Sequence, residues 1–423
     1  MDENPSLIKD GGVVVSGSKI VEVGSFKELS KNYKPKKIIG GKGKAVLPGL
    51  INTHTHAAMV LMRGMADDIS LKEWLERHIW PSEQKWLSPS FISDAVSLAC
   101  LEMLKAGITT YNDMYFYEHV SANTAKKMGM RAVLGSGILD FPTKTAGSVE
   151  EYLKNAEEFI KAWKDDELIT PCVAPHAVYT CNLETLKKAF LLSEKYDTLI
   201  HIHLSETRWE VAESLKRYGK TPGMLLEGLG ILSRRLLAVH CIWLSDEEIE
   251  VFAKRGVGVS HCIESNLKLA SGVAPVPKML KAGIKVTFGT DGAASNNDLN
   301  IFSEMSTAAK LHKSVSDDPT TLPAKTVIKM ATRWAGEALG LGGIIGSLEK
   351  GKSADLIVVD LLRPHLTPVY NIFSHIVYSM RPSDVETVMV NGKLVVDKGR
   401  LLTGDEEEIL NKAGRWGERI KKG

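Results

Sequence analysis

Cysteine is scarce in this 423-residue sequence, and no two cysteines form a CxxC pair. The five that occur are widely spaced, at Cys100, Cys172, Cys181, Cys241 and Cys262. An odd, scattered set excludes a disulfide framework and a cysteine-based structural zinc site. It is typical of reduced thiols, so we expect the protein to be cytoplasmic.

Long apolar runs and an excess of one charge are also missing. No stretch approaches the ~20 apolar residues that cross a bilayer, and the start, MDENPSLIKDGG, lacks the basic and apolar regions of a signal peptide. Lys and Arg number 53 against 51 Asp and Glu, which gives a net charge of +2. Neither nucleic acid nor a membrane is therefore expected as a partner.

The middle of the chain alternates short strand-like runs with longer helical ones, and no GxGxxG opens a helix after the first run. The absence of that motif leaves a doubly wound dinucleotide-binding sheet without support. Strands that alternate with helices pair in parallel, and eight of them predict a closed (β/α)8 TIM-type barrel over residues 48–346. The eight runs are LINTHTH, ITTYNDM, RAVLGSGIL, ITPCVAPHA, TLIHIHLSE, LLAVHCIWL, GVGVSHC and KVTFGTDG. The helical run AKTVIKMATRWAGEALGL is expected to complete the barrel.

The two ends of the chain share a different pattern, with alternating apolar residues around short turns. GVVVSGSKIVEVG lies near the start, and ADLIVVDL and VETVMVNGKLVVDKG lie near the end. Asn-Gly between such runs is a strong hairpin signal. Neither end alone has enough strands to be stable, so residues 1–47 and 347–423 predict one composite β-sandwich domain. MDENPSL has the pattern of the middle of a hairpin, which would imply a preceding strand.

Histidines gather at the ends of the predicted barrel strands. Of the 12 in the chain, seven lie on these strands: His54, His56, His176, His201, His203, His240 and His261. Reactive groups of barrel enzymes lie at the carboxyl ends of the strands. His54 and His56 are two residues apart and therefore share one face. A polar surface strand would also show this spacing, but the apolar approach LPGLI and the other strand-end histidines favour a metal site.

The predicted ligands are His54, His56, His203 and Asp291. His203 lies nearer the strand end than His201, which we place deeper in the barrel, and Asp291 supplies a carboxylate after the eighth strand. Three histidines and one aspartate with an open position favour one catalytic zinc ion, although iron or manganese would also fit. ITPCVAPHA has no lysine that could bridge a second metal, so a single ion is expected.

These motifs resemble a known family. PGLINTHTH, HLSE, VHC and GTDGAASNND resemble the amidohydrolase superfamily, and within it the 5'-methylthioadenosine/S-adenosylhomocysteine deaminases. WLERHIWPSE, PHAVYTC and SHCIESNLKLASG also match that subgroup. The resemblance covers nearly the whole chain. It implies a metal-dependent hydrolytic deaminase that converts the adenine of a small purine nucleoside to hypoxanthine and releases ammonia, and a homo-oligomer is expected.

Three residues are given catalytic roles on this basis. Glu206 would protonate the ring nitrogen as a general acid, and Asp291 would accept the proton of water and pass it to ammonia. His240 would orient the water. Each residue has a structural alternative: Glu206 could cap the following helix, His240 could be a core histidine, and Asp291 could be a turn residue before Gly292.

The resemblance also implies residues that bind the substrate. Glu83 would accept hydrogen bonds from the two ribose hydroxyls, and His176 matches a histidine that contacts the substrate. Trp74 would pack on the nucleoside, or would belong to the core. Glu206 and Asp291 would contact the substrate as well.

One departure from the subgroup concerns the 5'-substituent. Members that act on S-adenosylhomocysteine carry arginines for its amino-acid tail, and here the matching segments have Ser136 and, nearby, Ser148. Arginine is the usual bidentate partner of a carboxylate, and Arg131, at a helix-to-strand junction, is not expected to compensate. Methylthioadenosine, 5'-deoxyadenosine or adenosine is therefore favoured over S-adenosylhomocysteine.

Two other functions stay open. A free-heterocycle amidohydrolase of the guanine or triazine type would share the metal site but would not need Glu83 as a diol clamp. A non-catalytic assembly protein on the same barrel would have no need of an intact ligand set.

Overall fold

The computed structural model describes residues 5–422. Residues 1–4, which contain part of the predicted hairpin, lie outside the described residues, and the first strand begins at Gly11. The strands in chain order are β1 (Gly11–Ser16), β2 (Lys19–Ser25), β3 (Lys44–Pro48), β4 (Leu50–Thr55), β5 (Ile108–Tyr115), β6 (Arg131–Ile138), β7 (Ile169–Pro171), β8 (Ala174–Pro175), β9 (Ile200–Leu204), β10 (Leu236–His240), β11 (Gly258–His261), β12 (Val286–Phe288), β13 (Leu356–Asp360), β14 (Val385–Val390), β15 (Lys393–Asp397) and β16 (Arg400–Leu401).

Helices alternate with the strands from β4 to β12, as the sequence predicts. The α-helices are α1 (Phe26–Asn32), α2 (Leu71–Trp74), α3 (Trp80–Trp86), α4 (Pro89–Lys105), α5 (Glu118–Met128), α6 (Val149–Trp163), α7 (Leu183–Tyr196), α8 (Arg208–Tyr218), α9 (Pro222–Gly228), α10 (Asp246–Arg255), α11 (Ile263–Lys268), α12 (Val276–Lys281), α13 (Ala293–Asn296), α14 (Ile301–Val315), α15 (Ala324–Ala331), α16 (Arg333–Ala338), α17 (Ile372–Tyr378) and α18 (Glu406–Lys421). A π-helical turn, Leu75–Ile79, joins α2 to α3, and 3-10 turns span Ala57–Met62, Pro364–Leu366 and Pro382–Asp384.

Polar caps fix the starts of the longer helices. A side-chain oxygen at each of these positions accepts a hydrogen bond from a first-turn N–H, and the caps include Ser88, Ser148, Asn182, Thr207 and Ser245. The run AKTVIKMATRWAGEALGL forms two helices rather than one. Thr332, with φ −134° and ψ −92°, interrupts the helix between α15 and α16.

The central strands form two parallel sheets, one of five strands and one of four. Their orders are β4-β5-β6-β7, with β8 also paired to β6, and β12-β11-β10-β9. Hydrogen bonds link the two sheets at both edges. His201 N donates to Val173 O at 2.9 Å on one side, and Asp291 N donates to His54 O at 3.0 Å on the other. The carboxyl ends of all these strands therefore face one end of the molecule.

The strands near the two ends of the chain form antiparallel structure. β3 pairs with β13 in a five-stranded sheet of order β16-β15-β14-β13-β3, so that sheet draws on both ends of the chain. β1 and β2 form a separate hairpin that joins the segment before β13 through Ile20 N to Lys352 O at 2.9 Å. The sandwich and the boundaries at 47 and 347 stay predictions.

Within residues 5–422 no single helix has the length and apolar content to cross a membrane. One pair of helical segments, Leu71–Trp86 and Pro89–Lys105, would pass by length and composition alone, and it is bent by 114°.

Candidate active site

Four side chains from three strand ends converge at the carboxyl end of the parallel sheets. Nε2 of His54 and Nε2 of His56 lie 3.2 Å and 3.3 Å from Oδ1 of Asp291. Nε2 of His203, on β9, lies 3.3 Å from Nε2 of His56. The four residues predicted as metal ligands are therefore brought together, with their donor atoms facing a common centre.

Hydrogen bonds on the far side of two imidazoles orient the rings. Nδ1 of His56 donates to Met114 O at 2.7 Å, and Nδ1 of His203 donates to His176 O at 2.9 Å. A carbonyl oxygen can only accept, so Nδ1 carries the proton in both rings. The Nε2 lone pairs are then directed at the centre of the cluster, which is the arrangement seen for histidines that bind a metal.

His201 supports the third ring from below. Its Nε2 lies 2.9 Å from Nδ1 of His54, and its Nδ1 lies 3.2 Å from Nδ2 of Asn112. The expectation that His201 lies deeper than His203 agrees with this position. Its contact with His54 could not be predicted, because HIHLSE gives the shared face but not the neighbour across the sheet.

Asp291 is held in one orientation by four contacts. Its φ is +61°, in the left-handed region. Oδ2 accepts from the hydroxyls of Ser265 at 2.7 Å and Ser295 at 2.9 Å, and Oδ1 accepts from Gly292 N at 2.8 Å. Burial acts to raise the pKa of Asp291, but the hydrogen bond from His54 and the nearby charges of His54 and His56 outweigh it and hold the pKa well below its ordinary value. The site therefore contains an ionised carboxylate.

His240 and Glu206 lie beside this cluster. The donor atoms of His54, His203 and His240 lie within 4.8 Å of one another, as do those of His54, His56 and Asp291. Oδ1 of Asn266 lies 2.8 Å from Nδ1 of His240, and burial lowers the pKa of His240. Burial, followed by the charge of Asp291, raises the pKa of Glu206 well above its ordinary value. Burial therefore favours the protonated form of the Glu206 carboxyl group.

The capping role considered for Glu206 is filled by two other residues. Thr207 accepts from Glu210 N, and the carboxylate of Glu210 accepts from Ser205 N at 3.0 Å and Glu206 N at 2.8 Å. The side chain of Glu206 is left to line the cavity.

A cavity of about 330 Å³ lies over the cluster. Polar residues line the end nearest the cluster: His56, Glu83, His176, Tyr179, His203, Glu206, His240 and Asp291. The rest of its wall is mostly apolar, and includes Leu71, Trp74, Leu75, Ile79, Trp80, Leu87, Phe116, Leu139, Phe141 and Pro142.

The five residues predicted to contact substrate all line this cavity: Trp74, Glu83, His176, Glu206 and Asp291. Burial raises the pKa of Glu83 to about 7, and the Tyr115 hydroxyl nearby acts in the opposite direction. Burial lowers the pKa of His176 to about 3, so its ring is neutral. The indole N–H of Trp74 is buried and has no hydrogen-bond partner among residues 5–422. Trp74 therefore belongs to the core as well as to the cavity wall.

Comparisons with known proteins agree with this geometry. The sequence pattern of the amidohydrolase family matches residues 45–395. The chain belongs to the amidohydrolase family.

Similarity to individual amidohydrolases extends over the whole chain. A protein of Thermodesulfovibrio yellowstonii named 5-methylthioadenosine/S-adenosylhomocysteine deaminase is 54% identical over 423 residues, which are 100% of this chain and 96% of that one. A 5'-deoxyadenosine deaminase of Methanosarcina barkeri is 44% identical over 422 residues, 99% and 96% of the two chains. A crystal structure of an adenosine deaminase from Xanthomonas campestris with bound zinc has a TM-score of 0.98 at 41% identity, and covers 99% of this chain and 96% of that chain. The resemblance to the nucleoside deaminases is confirmed.

Residues considered for the substrate tail lie elsewhere in this amidohydrolase. Ser136 is buried on β6 and does not line the cavity, and Ser148 caps α6. Arg131 forms a buried ion pair with Asp355 at 2.8 Å, where the parallel sheets meet the antiparallel sheet. His261, which was given no task, packs on His312 with their Nε2 atoms 3.3 Å apart.

Four supporting residues were not assigned from the sequence: Asn112, Ser265, Asn266 and Ser295. Ser265 and Asn266 occur in SHCIESN, and Ser295 occurs in GTDGAASNND, so the motifs contained them. Small polar residues are common in turns, and no spacing rule separated these from ordinary turn residues.

Proposed function

We propose that this amidohydrolase is a metal-dependent hydrolytic deaminase of adenosines with an uncharged 5'-substituent. The observation that carries the proposal is that one cavity lies over the His54–His56–His203–Asp291 cluster and is also lined by the buried Glu206 and Glu83. The relatives named as 5-methylthioadenosine/S-adenosylhomocysteine and 5'-deoxyadenosine deaminases support it.

The donor set fits one zinc ion. His54, His56, His203 and Asp291 would hold it, and the outward hydrogen bonds of His56 and His203 leave their Nε2 atoms free for coordination. Three nitrogens and one carboxylate oxygen suit zinc, while iron or manganese would also be accepted. When bound, such an ion lowers the pKa of a coordinated water toward neutrality.

The protein side chains would move the protons. Water attacks C6 of the adenine ring, and Asp291 accepts the proton that the water loses. Glu206 donates its proton to N1 as C6 becomes tetrahedral, which requires the neutral form that its raised pKa provides. The C6–N bond then breaks, and the amine leaves as ammonia with the proton from Asp291. The hydroxyl on C6 returns a proton to Glu206 as the C6=O bond of hypoxanthine forms. His240 would hold the attacking water between these groups.

Three residues would bind the nucleoside. The carboxylate of Glu83 would accept hydrogen bonds from the 2'- and 3'-hydroxyls. His176 is held by Thr180, whose Oγ1 lies 2.9 Å from Nδ1, so its Nε2 is available to the substrate. Trp74 would contribute its apolar face.

The apolar wall supports an uncharged 5'-substituent. Lys144 is the one lysine or arginine that lines the cavity within the described part of the chain, and its Nζ already contacts two backbone carbonyls. A carboxylate tail would therefore lack the arginine partner that Ser136 and Ser148 do not supply.

The test is a panel of adenine compounds followed by the absorbance change from adenine to hypoxanthine. We expect 5'-methylthioadenosine and 5'-deoxyadenosine to exceed S-adenosylhomocysteine in kcat/KM by about tenfold or more, the cost of one missing charged hydrogen bond. Activity only on adenine, guanine or triazine rings would favour the free-heterocycle alternative. A purified protein with neither metal nor activity would favour a non-catalytic role.

We also propose the larger-scale features that the sequence predicts. The hydrogen bonds at both edges of the parallel sheets support a closed (β/α)8 barrel over 48–346, with the terminal strands as its companion β-sandwich domain. All five cysteines are unpaired and buried, which supports a cytoplasmic location. A homo-oligomer of this chain is the assembly we expect.

A further inference from the structure

The end of α3 is held by a lysine from a different part of the chain. Nζ of Lys144 donates to Lys85 O at 2.9 Å and to Leu87 O at 3.1 Å. The last carbonyls of a helix have no partner within the helix and carry its partial negative charge. An ammonium group at this position donates hydrogen bonds to the carbonyls and brings a positive charge to the negative end of the helix.

The segment that presents Lys144 is itself fixed to α6. The Tyr152 hydroxyl contacts Thr143 Oγ1 at 2.6 Å and Phe141 O at 3.1 Å, and Asn155 Nδ2 donates to Thr145 O at 3.0 Å. These bonds lie on both sides of Lys144 in the sequence. The ammonium group is therefore attached to a rigid support and can restrain what it binds.

The helix that Lys144 holds is short and carries Glu83. α3 has seven residues and follows the π-helical turn Leu75–Ile79, a type of irregularity often found at functional sites. Leu87 N donates to Glu83 O at 3.1 Å, so the residue that Lys144 contacts is bonded to the backbone of Glu83. A shift at the end of α3 would therefore move the carboxyl group of Glu83.

We propose that Lys144 is a positioning residue, which holds the end of α3 so that Glu83 meets the ribose hydroxyls. This rests on the proposed function, in which Glu83 binds the diol. Lys144 acts through Glu83, so its removal would weaken recognition of the diol specifically. A direct contact between Lys144 and the substrate would instead alter the preference among 5'-substituents.

The experiment compares adenosine with 2',3'-dideoxyadenosine, which lacks both hydroxyls. The measured quantity is kcat/KM for adenosine divided by kcat/KM for 2',3'-dideoxyadenosine, in the purified metal-loaded enzyme. Lys144→Met removes the ammonium group and keeps much of the apolar stem, and Lys144→Arg keeps a cation with several donors. Lys154→Met, at an exposed position on α6 where the lysine pairs with Glu158, is the matched control.

We expect Lys144→Met to lower the ratio about tenfold, mainly through KM for adenosine, because misplacement of a binding group costs up to about 100-fold. Lys144→Arg should keep the ratio close to the wild-type value, and Lys154→Met should leave it unchanged. In Glu83→Ala, which lacks the clamp, adding Lys144→Met should not lower the ratio further.

Three results would overturn the positioning role. They are an unchanged ratio in Lys144→Met, an equal loss for both nucleosides, and a change that follows the 5'-substituent instead of the diol. Wild-type enzyme that deaminates no nucleoside would overturn the proposed function and this role with it, so the two failures are distinguishable.

Discussion

Oε2 of Glu206 lies 3.7 Å from Nε2 of His240, and both side chains are almost fully buried. The separation exceeds an ordinary hydrogen bond, so neither group is tied to the other. Burial lowers the pKa of His240 and raises that of Glu206, which favours the neutral form of each group. A carboxyl group and an imidazole thus face one space from adjacent strands.

Replacing Glu206 should separate catalysis from metal binding. Glu206→Gln keeps the size of the side chain but removes the acid, and we expect kcat to fall about 10²- to 10⁴-fold. Metal content, measured by atomic emission on the purified protein, should not change, because Glu206 is not a proposed ligand. Glu184→Gln, exposed on α7 and paired with Lys188, is the control. Full turnover in Glu206→Gln would remove this residue from the mechanism.

His201 should matter for metal affinity although it is not a ligand. It touches Nδ1 of His54 at 2.9 Å, and loss of such outer contacts costs about 10- to 100-fold in affinity. His201→Gln should therefore lose zinc at a lower chelator concentration than the wild type in a competition titration. His261→Gln, which alters a buried histidine that packs on His312, should keep wild-type affinity. Equal retention of zinc by both variants would contradict the assignment.

Substrate binding should weaken as the pH falls below neutrality. The pKa of Glu83 is about 7 in the folded protein, above its ordinary value, so it takes up a proton as the pH falls through about 7. A protonated carboxyl accepts the diol less well, so KM for ribonucleosides should rise on the acid side and level off on the alkaline side. The KM of Glu83→Gln should lack this step. A wild-type KM that is constant from about pH 6 to pH 8 would count against the role, since a group with pKa near 7 titrates across that range.

Gly289 should be intolerant of a side chain. A Cβ there would lie 2.7 Å from Cβ of His54 and 2.6 Å from Oγ of Ser260. Gly289→Ala should therefore displace His54, lower the unfolding free energy by about 1–3 kcal/mol and reduce the zinc content.

The control for Gly289 is a glycine with open space around it. Gly414, in α18, has nothing within 4 Å of an added Cβ, so Gly414→Ala should raise stability by up to about 1 kcal/mol. Thermal unfolding measures the stability of the two variants, and a parallel metal assay measures their zinc content. An unchanged zinc content and melting temperature in Gly289→Ala would contradict this prediction. They would show that the backbone at the end of β12 can shift to accept the methyl group without moving His54.

Patterns that repeat along the chain could be predicted, and contacts between distant segments could not. The alternation of strands and helices follows from apolar periodicity. The fourth run, ITPCVAPHA, appears instead as two short strands, β7 and β8. Pro171 and Pro175 have no N–H to donate, which limits how far either strand can pair.

The site shows the same division. His54 and His56 could be paired from their spacing, and His203 and Asp291 from their places at strand ends. The supporting contacts, such as Ser265 with Asp291, join residues far apart in the sequence and depend on register between strands and helices. No local pattern encodes that register.

The pairing of β3 with β13 sets an order for folding during synthesis. β3 emerges early and is separated by Gly49 alone from β4, which carries His54, whereas β13 emerges only after the last strand of the parallel sheets. At about 5–20 residues per second, the roughly 300 residues between the two strands take on the order of tens of seconds to make. Until β13 emerges, β3 lacks the strand with which it pairs in the folded protein, and an unpaired strand edge is open to pairing with another chain.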